Sequence, residues 1–376
     1  MLTKILPPII YIRFERFAAQ ILQYKAILIQ NLLFKYPVSL FKNYPGFLYP
    51  KELFIFLTTR CNIRCFICRR ENHVAEDLVF ADIYRLEHAI KNASIIDLTG
   101  WGEPLIYPKF KEVLHYIYSI NAKPNLIRIT TNGTLLSGEI AQLLTGHLNK
   151  VTISLNAATK ETYNRDMKHA DFHRTTDNIR SFVMAVSSRD ISSLWLHFVA
   201  HTENYKEIPE FVRLASSLHI KNVTIGNYLV GRADHARYSL MLVKDDYNRV
   251  VSQAWDLSLK LGINLFARKF HVEKAIPPQL CTDPYIQCFV LPNGDVGPCC
   301  YAGNSVMGNV FKTSFEDVWF GEAYRALRRS RHLPACKHCT PYVVLDDPNA
   351  HFVESLKQSD EIRAILRSLS PADRSK

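Results

Sequence analysis

From residue 53 onward the chain alternates two hydrophobic periods. Short runs rich in β-branched and aromatic residues read as strands: Leu53–Leu57, Ile95–Thr99, Leu126–Thr130, Val151–Leu155, Leu194–Val199 and Val223–Ile225. Between them, residues 81–92, 109–120, 138–145, 175–187 and 204–218 space their apolar positions as helices do. Six strands alternating with helices predict an α/β fold with a parallel sheet and right-handed crossovers. The expected architecture is an open partial (β/α)6 TIM-like barrel, with its working residues at the C-terminal strand ends. The rhythm fades after about residue 235, although 242–261 reads as one more helix. The expected divisions are a helical extension (1–50), the barrel core (51–235), a connecting region (236–280), a small cysteine-bearing module (281–345) and a charged tail (346–376).

Charge changes this picture at the ends. The formal net charge of the 376 residues is +11. In the first 51 residues, seven lysines and arginines face a single acidic residue, Glu15. A second basic group is spelled by Arg325, Arg328, Arg329 and Arg331. Such a balance suits an anionic partner: a phosphorylated substrate, an acidic membrane surface or a nucleic acid. Zinc-finger spacing and RNP-type aromatics are lacking, so no nucleic-acid partner is expected. Arg13 and Arg16 fall where a signal peptide needs an uncharged stretch, and no apolar run approaches the ~18–20 residues of a membrane span. The expected location is cytoplasmic. The segment 9–41 reads first as a helical cap on the enzyme body, and second as an interfacial helix pair giving peripheral contact with the inner face of the membrane.

The cysteines point to chemistry. There are nine, an odd number, and none falls between Cys68 and Cys281. Clustering of this kind argues for metal ligation in a reducing compartment rather than for a secreted disulfide framework. Cys61-Asn-Ile-Arg-Cys65-Phe-Ile-Cys68 stands on the loop after the first strand. Three thiolates can ligate three irons of a cubane and leave the fourth iron open to bind something. A zinc site lacking its fourth ligand and buried structural thiols are the competing readings.

With these residues the chain resembles the radical S-adenosylmethionine (SAM) superfamily over roughly residues 50–340. The resemblance implies a [4Fe–4S] cluster on Cys61, Cys65 and Cys68 whose open iron is chelated by SAM. It also implies reductive cleavage of SAM to a 5′-deoxyadenosyl radical that abstracts a substrate hydrogen. The position before the third cysteine, usually aromatic in the family, is Ile67 here, with Phe66 one place earlier. The family's glycine-glycine-glutamate-proline motif appears as Gly100-Trp101-Gly102-Glu103-Pro104, where backbone carbonyls and a carboxylate would meet the SAM ammonium group. Thr131-Asn132-Gly133 and Ser154-Leu155-Asn156 match positions near the ribose and methionine, although the family often has an acidic residue where Asn156 stands. Gly226-Asn227 would approach the adenine.

The second cysteine group resembles the SPASM/twitch extension of these enzymes. Cys281, the segment Gly294–Cys299, Gly308-Asn309-Val310, Val318-Trp319 and Cys336-Lys-His-Cys339 carry the likeness. It implies an auxiliary [4Fe–4S] cluster on Cys281, Cys299, Cys336 and Cys339. A full SPASM domain has seven cysteines and six are present, so a single auxiliary cluster fits better. Cys288 reads as a core thiol and Cys300 as an alternate for Cys299, and a four-cysteine zinc ribbon is the rival reading. An auxiliary cluster suits electron uptake from a substrate radical, hence net oxidation of the kind run by sulfatase-maturating enzymes, peptide-modifying enzymes and aminocyclitol dehydrogenases. The basic extension favours a small-molecule substrate (a sugar, or a nucleotide- or lipid-linked compound). A peptide is the alternative, weakened because no leader-peptide-binding domain is evident. The partner for reduction would be a one-electron donor such as flavodoxin or ferredoxin. A non-enzymatic zinc-binding protein is the reading from another class. His197 and His201 share one face of a strand and are expected to line the barrel without binding metal. Tyr228, Arg232, His271 and Asp283 are candidate substrate contacts, and no catalytic acid or base stands out.

Overall fold

The period-two alternation of the strand runs becomes two different faces in three dimensions. The computed structural model describes residues 49–68, 74–120, 126–144, 147–186, 193–228, 233–269, 283–300 and 305–330. Its strands are β1 (Glu52–Ile55), β2 (Arg64–Cys65), β3 (Ile95–Asp97), β4 (Leu126–Thr131), β5 (Lys150–Ser154), β6 (Met167–Lys168), β7 (Ser193–Ala200), β8 (Asn222–Asn227), β9 (Asn264–Phe266), β10 (Gln287–Val290) and β11 (Val296–Gly297). Nine of them form one sheet in the order β11-β10-β1-β3-β4-β5-β7-β8-β9, parallel throughout except for the β10–β11 hairpin. The sheet stays open, with β11 and β9 at its two edges.

On one face Leu53, Ile55, Ile96, Ile129, Val151, Ile153, Leu196, Phe198 and Val223 are completely or almost completely buried. They share a core with the apolar stripes of helices α1 (Glu87–Asn92), α2 (Phe110–Ile120), α3 (Gly138–Leu144), α5 (Phe172–Ala185), α6 (Ile208–Ser217) and α7 (Lys244–Leu261). Helix α4 (Lys160–Asp166) follows β5. The other face carries Glu52, Arg128, Thr130, Lys150, Thr152, Ser154, His197 and Thr224, all only half-buried. A parallel sheet covered on both sides would read as continuous apolar runs, so the alternation records a polar lumen. Register stacks the lumen in layers, and Phe54, Asp97, Arg128 and Lys150 are successive partners across four strands. There Arg128 bridges Asp97 and, at 2.7 Å, Glu52, while Lys150 Nζ sits 4.2 Å from the centre of the Trp195 ring.

All six expected strands form, and the sheet adds three that the sequence reading did not place in it. The segment after 281, expected as a small module, also contributes strands to the main sheet where it is described. β10 pairs in parallel with β1 (Leu53 opposite Cys288, Ile55 opposite Val290), and the Phe54 and Phe289 rings stack at 4.1 Å. Tyr49 donates a 2.8 Å hydrogen bond to Glu316, and Cys288 is fully buried in the common core. A four-residue strand has too short a period to announce its partner.

The second basic group also changes character. Arg329 pairs with Glu322, Arg328 is buried, and Arg331 lies outside the described residues, as does the basic extension 1–48. Among the described residues no helix is long and apolar enough to cross a membrane.

Candidate functional site

The loop that leaves β1 is fastened on several sides before it reaches its cysteines. Thr59 N–H donates to Glu76 O (2.8 Å), and Leu78 N–H to Leu57 O (2.9 Å), so the chain returning after the loop runs back beside it. Arg60 forms a bidentate ion pair with Asp77. Cys65 lies in β2, opposite Met167 of β6. Phe66 N–H donates to Asp166 O (3.1 Å), and Cys68 N–H closes a turn on Cys65 O (3.1 Å). Cys61, Cys65 and Cys68 form no disulfide and are half-buried.

The loop after β3 presses directly on this one. A Cβ at Gly102 would lie 2.2 Å from Arg60 O and 2.5 Å from Thr58 O, both fixed backbone, so only glycine fits. The next residue locks the contact through Glu103 N–H to Arg60 O, 2.8 Å. The Glu103 side chain, 2% exposed, accepts from Thr131 Oγ1 (2.8 Å), Asn132 N–H (2.7 Å) and Leu105 N–H (3.2 Å). Both carboxylate oxygens therefore already serve the protein, a use the sequence reading did not foresee for a group expected to face the SAM ammonium. Burial pushes its pKa up to about 7 against the lowering effect of those three donors.

Asn132 carries the connection on to the cysteines. Its Nδ2 donates to Asn62 Oδ1 (2.9 Å) and reaches Cys61 Sγ at 3.7 Å, while its Oδ1 accepts from the Thr134 hydroxyl (2.6 Å). Asn62 in turn donates to Thr134 Oγ1 (2.8 Å). Gly133 takes φ +79°, the left-handed conformation glycine adopts without strain. Ends of three strands, β1, β3 and β4, are thereby tied in one network at the C-terminal rim of the sheet.

On the far side of the thiol loop a second group forms. Asn156 follows β5 and also has a left-handed backbone (φ +57°), and its Oδ1 accepts from Val199 N–H at 2.9 Å. His201, just beyond β7 and 1% exposed, lies 3.0 Å from Asp166 through Nε2. The Glu203 N–H points at His201 Nδ1 (3.2 Å), so Nδ1 accepts and Nε2 carries the proton given to Asp166. Burial would raise the Asp166 carboxyl, but hydrogen bonds from His201 and Arg165 outweigh it and hold the group below its ordinary range. Phe66 packs edge-on against His201 (4.9 Å) and beside Tyr238 (4.9 Å), Tyr228 (5.8 Å) and His235 (5.9 Å).

The structure thus brings Cys61, Cys65, Cys68, Gly102, Glu103, Thr131, Asn132 and Gly133 to one rim, with Ile67 and Asn156 lining a small gap beside His201. Gly100 packs on Phe56, and Gly226 on the His197 ring. Ser154 and His197 pair across β5 and β7. His197 and His201 do not act together, since only His201 pairs with Asp166. Asn62, Thr134, Asp166 and Asn204 join the site unforeseen, because the links that place them there (Asn62 to Thr134, Asp166 to His201, Asn204 to Asn156 O) span tens of residues. Tyr228 donates to or accepts from His235 at 2.6 Å, and Asp283 begins a one-turn helix, α8 (Asp283–Ile286). Cys299 is half-buried and Cys300 exposed. Cys281, Cys336, Cys339, Arg232 and His271 lie outside the described residues.

Three cysteines on one short loop, none in a disulfide and with soft sulfur donors only, fit an iron–sulfur cluster that keeps one iron open. Among the described residues no three His, Cys, Asp or Glu side chains converge as a single bound ion requires. Fold and site define an open α/β partial barrel with a thiol-rich cofactor loop at its C-terminal rim. Residues 55–215 match the family described as the radical SAM superfamily, and residues 281–340 match SPASM, described as an iron–sulfur cluster-binding domain. The chain belongs to the radical SAM superfamily and carries a SPASM segment. Its cofactors are accordingly [4Fe–4S] clusters and SAM.

Among curated proteins, the chain is 27% identical over 177 residues to a probable GTP 3′,8-cyclase of Saccharolobus islandicus, covering 46% of this chain and 55% of the relative. The chain thus spans about half the length of the curated relatives of that name. It is 22% identical over 317 residues (77% of this chain, 87% of the relative) to the tungsten-containing aldehyde ferredoxin oxidoreductase cofactor-modifying protein of Pyrococcus furiosus. Among solved structures, SuiB of Streptococcus suis bound to S-adenosylmethionine superposes with TM-score 0.59 at 19% identity, over 75% of this chain and 68% of SuiB. The anSMEcpe structure with bound AdoMet gives TM-score 0.60 at 16% identity, over 85% and 95%. These two share the fold.

Proposed function

We propose that this radical SAM enzyme holds its SAM-binding cluster on Cys61, Cys65 and Cys68 and oxidises a polar small molecule lodged in the barrel lumen. The observation that carries this reading is the hydrogen-bond network joining Cys61, Asn62, Glu103, Thr131, Asn132 and Thr134. It fixes the thiol loop against two further strand ends, where a cofactor and a substrate would meet. When bound, the cluster and SAM supply one-electron chemistry able to remove a hydrogen atom from an unactivated carbon. Glu103 and Asn132 would hold the loop in place, Gly102 would let the β3 loop press against it, and Phe66 and Ile67 would wall the site from water. A lumen of Thr130, Thr152, Ser154, Lys150 and His197 suits hydroxyl-bearing groups, as in a sugar, a nucleotide or a linked derivative. Named relatives that act on GTP or modify a cofactor favour a small molecule. In this reading Cys281, Cys299, Cys336 and Cys339 hold one auxiliary cluster that takes the second electron. A flavodoxin or ferredoxin would supply the first, in the cytoplasm.

A peptide is the second reading, favoured by fold neighbours solved with the precursor peptide SuiA and with the Kp18Cys peptide. The deciding experiment is anaerobic reconstitution with iron and sulfide, then addition of SAM and dithionite. The expected result is 5′-deoxyadenosine with about eight irons per chain, and none of it from the Cys61/Cys65/Cys68→Ala variant, which keeps about four. A zinc-loaded chain that forms no 5′-deoxyadenosine overturns the proposal. With a turned-over substrate in hand, a mass loss of two hydrogens identifies oxidation and an unchanged mass identifies isomerisation.

A further inference from the structure

The strand that carries Cys65 is not part of the main sheet. β2 and β6 form a separate antiparallel ribbon, Arg64 opposite Lys168 and Cys65 opposite Met167. A two-stranded ribbon on its own is marginally stable at best in water, so this one takes its position from what holds its ends. At the β6 end stands Asp166, the last residue of α4, which is buried. Its carbonyl accepts from Phe66 N–H (3.1 Å), and its carboxylate accepts from Nε2 of His201 (3.0 Å), just beyond β7. One residue therefore ties the cysteine loop through its main chain and the sheet through its side chain.

His201 is itself held from two further strands. Its N–H donates to Asn204 Oδ1 (2.7 Å), and Asn204 Nδ2 donates to Asn156 O (3.2 Å) after β5 and to Val199 O (3.0 Å) in β7. With Glu203 N–H on Nδ1, the proton stays on Nε2, where Asp166 receives it. Arg165 donates to both oxygens of the same carboxylate (2.6 and 2.9 Å). The Phe66 ring stands edge-on to His201, and Tyr238 packs on both rings. Cys68 follows through its turn onto Cys65 O. Cys61, at the other end of the triplet, is reached separately by Asn132 after β4. The three cysteines thus hang between two anchors on different strands. A cluster needs its three thiolates in one arrangement, and a site whose supporting groups leave it about 1 Å too loose works poorly.

We propose that Asp166 and His201 are a positioning pair for the SAM-binding cluster, setting Cys65 and Cys68 relative to Cys61. This rests on the reading that these three cysteines hold that cluster. The test titrates SAM into the reduced, reconstituted full chain and follows the change in its electron paramagnetic resonance spectrum. The variants are His201→Gln, His201→Asn, Asp166→Ala and the double variant His201→Asn/Asp166→Ala. Glutamine offers an N–H near the place of Nε2, whereas asparagine is one methylene too short to reach Asp166. His201→Asn should raise the SAM concentration at half-change about tenfold, the factor carried by one charge-assisted hydrogen bond. His201→Gln should stay near wild type, and the double variant should lose no more than Asp166→Ala alone, because the two residues act as one unit. Failure of the asparagine variant, but not of the glutamine variant, to take up the cluster supports the assignment as well. A glutamine variant as damaged as the asparagine variant, an asparagine variant that titrates like wild type, or additive losses in the double variant overturns it. So does an asparagine variant whose unloaded chain no longer unfolds cooperatively in urea, since the pair would then serve the fold as a whole. A wild type whose spectrum SAM leaves unchanged overturns the cluster reading instead.

Discussion

Glu103 shows how a motif residue can do a different job from the one its motif suggests. Its carboxylate is spent on Thr131, Asn132 and Leu105, of which the first two are buried groups that would lose this acceptor. Each unsatisfied buried donor costs about 1–3 kcal/mol. Glu103→Ala should therefore lower stability by about 3 kcal/mol or more in urea unfolding, and Glu103→Gln, which keeps one acceptor oxygen, by clearly less. Equal effects of the two would show that volume, not hydrogen bonding, matters there. The pH dependence has a definite sign. A carboxyl whose folded pKa is raised to about 7 stabilises the fold fully below about pH 4.5 and ceases to do so as pH rises through 7. At this scale Gly102 and Glu103 were legible from their motif, but the link from Asn132 to Cys61 was not, because it spans 71 positions.

At the scale of elements, strand alternation was the most informative signal. It placed all six core strands and, through Thr130, Thr152, Ser154 and His197, recorded the polar lumen. His197 sits in that lumen between β5 and β8, where burial, and then the charge of Lys150, depress its pKa from 6.5 to about 4. Below pH 6.5 the unfolded chain takes up a proton that the folded chain refuses, so stability falls as pH drops towards 4. At about 1.4 kcal/mol per unit the loss approaches roughly 3 kcal/mol. His197→Gln should flatten this slope, as measured by urea midpoints at pH 7, 5.5 and 4.5. A variant that keeps the wild-type slope would move the titration to another group.

For the whole molecule, the decisive feature is that β10 completes the sheet beside β1. A chain ending at residue 269 would uncover the hydrogen-bonding edge of β1 together with Phe54 and the Leu53–Ile55 core contacts. Exposed parallel edges of this kind recruit other strands. The truncated chain is expected to elute as oligomers in size-exclusion chromatography, whereas the full chain does not form them through this edge. A monomeric, fully folded truncation would show that residues 53–269 stand alone without β10.

The sequence by itself determined the strand and helix periods, which face of each strand is apolar, and the three-cysteine loop after the first strand. These are local properties, written in spacings of two, three or four residues. Tertiary structure alone decided that β10 lies against β1, that Glu103 turns to Thr131 and Asn132, that His201 meets Asp166, and that Arg328 is buried rather than displayed. The first three depend on residues 28 to more than 200 positions apart. Periodicity says that a face must be covered, while the path of the connecting chain chooses what covers it.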